Sequence, residues 1–313
     1  MRKMVQVLIT WDVDPDRWTT LECRKHALSR ALDLCREFDI HSTFFFTAQP
    51  AGDYSDVIQT MLSMGQEIGC HGLTHTDEED YDRMPEDLQR AYIQQARQKI
   101  EAVTGVPVCG FRSPRVKTSG LTLQLLAEYG YRWDSSVCSQ RLDFLSSNLV
   151  NPGWLTAPRL PYHPHRQNSF RRGSTPLWEI PVTALVFPLI SGSLNVFGLA
   201  FMKAFFHLSY LEAERTGKPI VYLAHPTELL PSTRRGKNIH LKQFSLKTIR
   251  SNGFLFRNLF FRMDGEQWFA ATREFFSFMA SYKNLEFHTG SQYVDCLSKC
   301  GINESNQIER ASS

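Results

Sequence analysis

Apolar residues along this chain alternate between two kinds of grouping, short β-rich runs and longer stretches with helical spacing. Met4–Trp11 is apolar and rich in β-branched residues, and reads as a first strand. Leu21–Glu37 puts Leu28, Ala31, Leu32 and Cys35 on one face, as an amphipathic helix does. His41–Thr47 reads as a strand, Asp56–Met64 as a short helix stopped by Gly65, and Gln66–Cys70 as a buried strand. Pro85–Val103 is a helix with proline in its first turn, ended by Gly105. Val108–Arg112 is a strand, Ser119–Tyr129 a helix with Ser119 as its cap, and Tyr131–Ser135 a strand. Residues 139–175 are rich in Pro, Asn, Arg and Ser and read as a long loop. Leu177–Pro181 and Ile220–Leu223 are strands, with a helix near Ala200–Thr216 between them. Glu266–Ser281 is a last helix and Leu285–His288 a last strand. This alternation predicts a parallel sheet, and the number of repeats predicts a barrel.

With 313 residues and 42% hydrophobic positions, the chain can bury a large core as one α/β domain. The net charge of +3 selects no partner. Seven scattered cysteines without a CxxC pair support neither a zinc ribbon nor a disulfide framework, so reduced thiols are expected. Arg2 and Lys3 precede an apolar run too short for a signal peptide, which meets Asp12 at once. The longest apolar tract, Val182–Phe201, contains Pro188, Gly192, Asn195 and Gly198, which are expected to break a helix. No membrane span is expected, and the protein is expected on the cytoplasmic side, within reach of a membrane surface.

In such folds chemistry sits at the carboxyl ends of the strands. Asp12 and Asp14 end the first strand two residues apart, so both carboxylates face one side. The pair fits a ligand with a working neighbour, and equally a capped turn helped by Pro15. His71 and His75 follow the third strand as CHGLTH, a spacing that lets both imidazoles face one point. Two imidazoles and a carboxylate are the open ligand set of catalytic zinc, while two solvated loop histidines are the plainer alternative. Arg112 ends the fourth strand and can pair with Asp12, unless it is a surface arginine. His225 ends the strand IVYLA, where it suits a general acid or a satisfied core histidine. Asp134 ends another strand, where it either orients His225 or makes an ordinary turn.

The ordered set WDVD, CHGLTH, FRSPR, LWEIP and LAHP resembles the polysaccharide deacetylase family, also called the NodB-homology or carbohydrate esterase four family, over about residues 5–230. The resemblance implies a distorted (β/α) barrel of about seven parallel strands. It implies Asp12 as catalytic base and Asp14, His71 and His75 as ligands of a divalent metal, zinc by preference. Arg112 then supports the base and His225 is the catalytic acid. The implied activity is removal of an N-acyl group, acetyl by preference, from a sugar of a surface-polysaccharide or lipid-linked glycan intermediate. Val13 between the aspartates departs from the common adjacent pair, and resembles the branch containing some peptidoglycan deacetylases and cyclic-imide or allantoin hydrolases. A formyl sugar or ring amide at the same site, or a glycan-binding protein without catalysis, are the competing readings. Arg115 replaces the usual aromatic after FRSP, where a positive side chain would change what the pocket accepts beside an oxyanion-binding backbone near Pro114–Arg115.

Residues 231–263 carry Arg234, Arg235, Lys237, Lys242, Lys247, Arg250, Arg257 and Arg262, interleaved with phenylalanines and free of acids. The segment reads as an insertion that contacts an anionic membrane or a lipid-diphosphate sugar, or as a solvated loop packed on the barrel. No nucleic-acid motif accompanies the charges, and no nucleic-acid partner is expected. Trp154, Tyr162, His163 and His165 in the long loop are expected to line the glycan cleft.

Overall fold

The computed structural model describes residues 3–16, 19–141, 151–231 and 261–299. Most of the basic, Phe-rich segment 231–263 therefore lies outside the described residues. The first half repeats one unit: β1 (Val5–Val13), α1 (Leu21–Glu37), β2 (Ser42–Phe46), α2 (Ser55–Ser63), β3 (Glu67–Cys70), α3 (Glu86–Thr104), β4 (Gly110–Phe111), α4 (Gly120–Glu128) and β5 (Trp133–Asp134). Then follow α5 (Pro152–Thr156), the antiparallel hairpin β6 (Pro164–His165) and β7 (Asn168–Arg172), and β8 (Trp178–Glu179). The chain continues through β9 (Ala184–Leu185), β10 (Phe187–Pro188), α6 (Ser191–Phe197), α7 (Leu199–Thr216) and β11 (Ile220–Ala224). It closes with α8 (Gly265–Ala280), β12 (Leu285–Phe287) and α9 (Gly290–Lys299).

Seven strands form one curled parallel sheet in the order β11-β1-β2-β3-β4-β5-β8, and β12 pairs the first residues of β1. This is the expected distorted (β/α) barrel. The distortion lies between β8 and β11, which do not pair. The segment between them bridges the gap instead: Thr183 N–H donates to the Val221 carbonyl, and Val221 N–H donates back to Thr183 Oγ1.

β1 and β2 are buried on both faces, as a parallel sheet covered by helices requires. Their outward side chains, including Val7, Ile9, Trp11, Phe44 and Phe46, pack under the surrounding helices. A separate interior cluster joins Leu8, Phe45, Trp133, Ile180, Val182 and Val221 with Tyr293 and Val294 of α9. α9 thus plugs the amino-terminal end of the barrel. Glycine is needed at Gly290, where an added Cβ would lie 2.0 Å from the Trp133 ring. The plug leaves the carboxyl ends of the strands as the open mouth.

Three expectations change. The long loop contains α5 and the β6–β7 hairpin. α9 was not expected, although Tyr293, Val294 and Leu297 stand at helical spacing on one face. α6 forms across Gly192 and Asn195, because Asn195 is fully buried and its side chain holds residues 262–263: Oδ1 accepts from the N–H groups of Arg262 and Met263. Upstream of α6 the tract is strand and turn around Pro188, and the helical part breaks at Gly198, where φ is +84°. No helix among the described residues is long and apolar enough to cross a membrane.

Candidate active site

Six of the side chains picked from the sequence meet at the mouth. Asp12 and Asp14 come from the end of β1, His71 and His75 from the loop after β3, Arg112 from the end of β4, and His225 from the end of β11. One oxygen of Asp14 and one nitrogen each of His71 and His75 lie within 4.8 Å of one another. Asp14 Oδ1 is 3.3 Å from His71 Nε2 and 3.4 Å from His75 Nε2, yet it is buried and makes no hydrogen bond. Three donor atoms aimed at one point without bonding each other fit a cation between them. His71 Nδ1 lies 2.8 Å from the Arg112 carbonyl. A proton on Nδ1 then makes that bond and leaves the Nε2 lone pair facing the cluster, the outer-shell pattern of metal-binding histidines.

Electrostatics agree with the donor set at Asp14 and His75, and oppose it at His71 while no cation is bound. Burial pushes the Asp14 carboxyl up, but His75, His71 and His225 around it outweigh this and hold it well below the usual carboxylate range. Burial pushes His75 down, so its neutral, ligating form is favoured. Burial acts on His71 in the same direction, but Asp12 and Asp14 reverse it and raise that imidazole.

Arg112 serves the site with two groups. Its carbonyl orients His71, and its fully buried guanidinium holds Asp12, with Nη1 2.8 Å from Asp12 Oδ1. The same guanidinium donates to Thr10 Oγ1, to the Ser135 carbonyl and to Ser135 Oγ, and lies over the Phe45 ring. It is not a surface arginine. Asp12 is left with one oxygen on Arg112 and the other 3.9 Å from His71 Nε2.

His225 Nε2 lies 3.8 Å from Asp14 Oδ2, so its ring faces the same cluster. Its carboxylate neighbour is not Asp134. Asp134 is fully buried in the sheet and bonded to the N–H and hydroxyl of Ser136. Beside it on β8, in register, stands the equally buried Glu179. The group next to His225 is Glu228, with Oε1 3.4 Å from Nδ1. Glu228 is carried there by the short 3-10 turn Pro226–Leu229 that follows β11. Burial disfavours the imidazolium, but Glu228, Asp14 and Asp12 together raise His225 to about 9. The i,i+3 spacing of Glu228 from His225 was the available sequence signal.

Arg115 also departs from expectation. Its side chain is 6% exposed and turned away from the mouth, onto Asp80 and the carbonyls of the histidine loop. Trp154 and Tyr162 are buried, and Tyr162 Oη donates to the Ser169 carbonyl. Both are part of the packed interior rather than the lining of an open cleft. His163 lies against Trp178 with ring centroids 4.0 Å apart and the planes tilted by 39°, and His165 is exposed.

The profile of the polysaccharide deacetylase family matches residues 3–133. A bifunctional xylanase/deacetylase from Pseudobutyrivibrio xylanivorans is 26% identical over 150 residues, which cover 45% of this chain and 23% of that protein. The chain spans only 23% to 38% of the length of the curated relatives it matches. A crystal structure from Mycobacterium smegmatis, described as a polysaccharide deacetylase, aligns at TM-score 0.62 and 20% identity, covering 96% of this chain and 92% of that one. The Puue allantoinase structure aligns at TM-score 0.57 and 16% identity, covering 94% and 90%. At these identities the structural likenesses speak for the fold. The strand-end motifs WDVD, CHGLTH and FRSPR lie within the residues that match the polysaccharide deacetylase family, and the similar structures share the fold over nearly the whole chain.

Proposed function

We propose that this protein is a metal-dependent hydrolase that removes an N-acyl group, acetyl by preference, from a sugar. The observation that carries the reading is the convergence of Asp14, His71 and His75 on one point beside an arginine-held Asp12 and a carboxylate-backed His225. Asp14, His71 and His75 would hold a divalent ion, zinc by preference, which supplies Lewis-acid chemistry when bound. Asp12 is the base. Its carboxylate, fixed by Arg112, takes a proton from the attacking water. The Arg115 N–H is the candidate oxyanion donor, because Pro114 has none. The amide C–N bond then breaks as the imidazolium of His225 gives its proton to the leaving nitrogen. Glu228 keeps that imidazole charged and oriented.

The finer reading names a surface-polysaccharide or lipid-linked glycan intermediate as substrate, handled on the cytoplasmic side of a membrane. Its support is the sequence alone: the family resemblance and the basic segment 231–263, which would touch anionic lipid. A panel of N-acetylated and N-formylated sugars set against ring amides such as allantoin tests the class. Acyl release from the sugars is expected. Turnover confined to ring amides would move the same site to another amide, and sugar binding without turnover in metal-loaded protein would make it a binding module.

A further inference from the structure

The loop that carries His75 is held in a conformation it would not choose by itself. His75 has φ of +57° and Gly72 has φ of +73°, so the backbone turns left-handed twice within four residues. Histidine tolerates this region better than most side chains but does not prefer it. Something must hold it there.

Glu79 occupies the inside of the turn. Its carboxylate is fully buried. Oε1 accepts from Leu73 N–H at 2.6 Å and from Tyr81 Oη at 2.9 Å. Oε2 accepts from Thr74 N–H at 2.7 Å, Thr74 Oγ1 at 2.9 Å and His75 N–H at 2.7 Å. Charge-assisted bonds of this length are strong. A Cβ on Gly72 would lie 2.5 Å from Glu79 Oε1, so the glycine makes room for the carboxylate. Arg115 grips the other side of the loop. It donates to the carbonyls of His75 at 3.4 Å, Thr76 at 2.8 Å and Glu79 at 3.2 Å, and pairs with Asp80. Arg115 itself sits at φ of +56°. The N–H of His75 is therefore held by one charged side chain and its C=O side by another of opposite sign.

We propose that Glu79 and Arg115 are positioning residues that clamp the His75 backbone and so fix the direction of its ligating Nε2. The proposal rests on the metal-site reading above. With the clamp loosened, the loop relaxes toward right-handed backbone and the imidazole leaves the convergence point. The role separates Arg115 from substrate selection, since its guanidinium is spent on the loop.

The test measures the Zn2+ dissociation constant of the full chain by competition with a chromophoric chelator, well below the melting temperature. The variants are Glu79→Gln, Arg115→Lys and, at the far end of the barrel, Glu67→Gln, which loses partners in Thr43, Trp133 and Ser291. Glu79→Gln and Arg115→Lys are expected to weaken binding about 10–100-fold, as outer-shell changes do. Glu67→Gln is expected to lower the melting temperature and leave metal affinity unmoved. In a His75→Ala background, Glu79→Gln is expected to add no further loss. Unchanged affinity in Glu79→Gln, or an equal loss in Glu67→Gln, overturns the clamp. If Glu79→Gln does not fold, Arg115→Lys decides by the same criterion. Wild-type protein that binds no metal would overturn the functional reading instead, a result distinct from either.

Discussion

Arg112 Nη1 and Asp12 Oδ1 meet at 2.8 Å where neither residue reaches solvent appreciably. An ion pair in that setting is sensitive to loss of one partner, because the other stays buried and charged. Arg112→Met leaves Asp12 without its counter-charge and Ser135 and Thr10 without their donor. The variant is expected to lose about 3–5 kcal/mol of stability. Urea unfolding measures this. A loss under about 1 kcal/mol would mean that the pair is solvated or readily replaced.

Asp12→Asn keeps the shape of the side chain and removes its basicity. Acyl release is expected to fall by about 10²–10⁴-fold, the usual contribution of a general base. Zn2+ affinity is expected to change little, since Asp12 lies outside the ligand set. Parallel loss of metal would make Asp12 a ligand rather than the base.

His225 carries a pH signature. Its folded pKa of about 9 lies above the ordinary value of 6.5, so the folded state binds the proton more tightly than the unfolded chain. The stabilisation is therefore complete below about pH 6.5 and is lost as pH rises to about 9. Glu228→Gln removes its strongest supporting charge. In metal-free protein the melting temperature of this variant should fall less between pH 6.5 and 9 than that of wild type. In turnover, the alkaline limb of its pH–rate profile should move to lower pH. Superimposable profiles would detach Glu228 from His225.

Glu179 and Asp134 stand side by side in register on β8 and β5, both fully buried. Burial raises the Glu179 carboxyl well above its usual range, and the neighbouring Asp134 raises it further. Burial raises Asp134 as well, although its hydrogen bonds with Glu179 and Ser136 and the nearby Arg112 oppose it. A raised folded pKa stabilises below the ordinary carboxylate range, and that contribution is lost as pH climbs through the folded value. Glu179→Gln should therefore gain stability relative to wild type as pH rises above about 5. A constant difference between the two across pH would show that the pair holds no extra proton.

Much of this architecture was legible in the spacing of apolar residues. Leu21–Glu37 was bounded as observed, and the strand ends that carry Asp12, His71, Arg112 and His225 lay within a residue or two of their reading. Local patterns suffice there because each strand is mostly apolar and buried, and the helices between them end at a glycine or a cap. What was not legible depends on tertiary partners. Asn195 inside α6 looks like a breaker until residues 262–263 arrive to bond it. Arg115 looks like a pocket cation until Asp80 and the loop carbonyls claim it. Glu79 drew no notice in the sequence, and only the left-handed turn at His75 brings the backbone N–H groups around it. Asp134 was placed at a strand end, but which way its side chain points is set by Ser136 and β8.

The central claim is hydrolysis that depends on one metal ion held by Asp14, His71 and His75. Its most direct measurement is acyl release from an N-acetylated oligosaccharide by chelator-stripped protein as Zn2+ is titrated back. The expected curve starts near zero and saturates at one ion per chain, and Asp14→Ala or His75→Ala flattens it. Full activity in stripped protein, or a saturating curve unchanged by either variant, would contradict the claim.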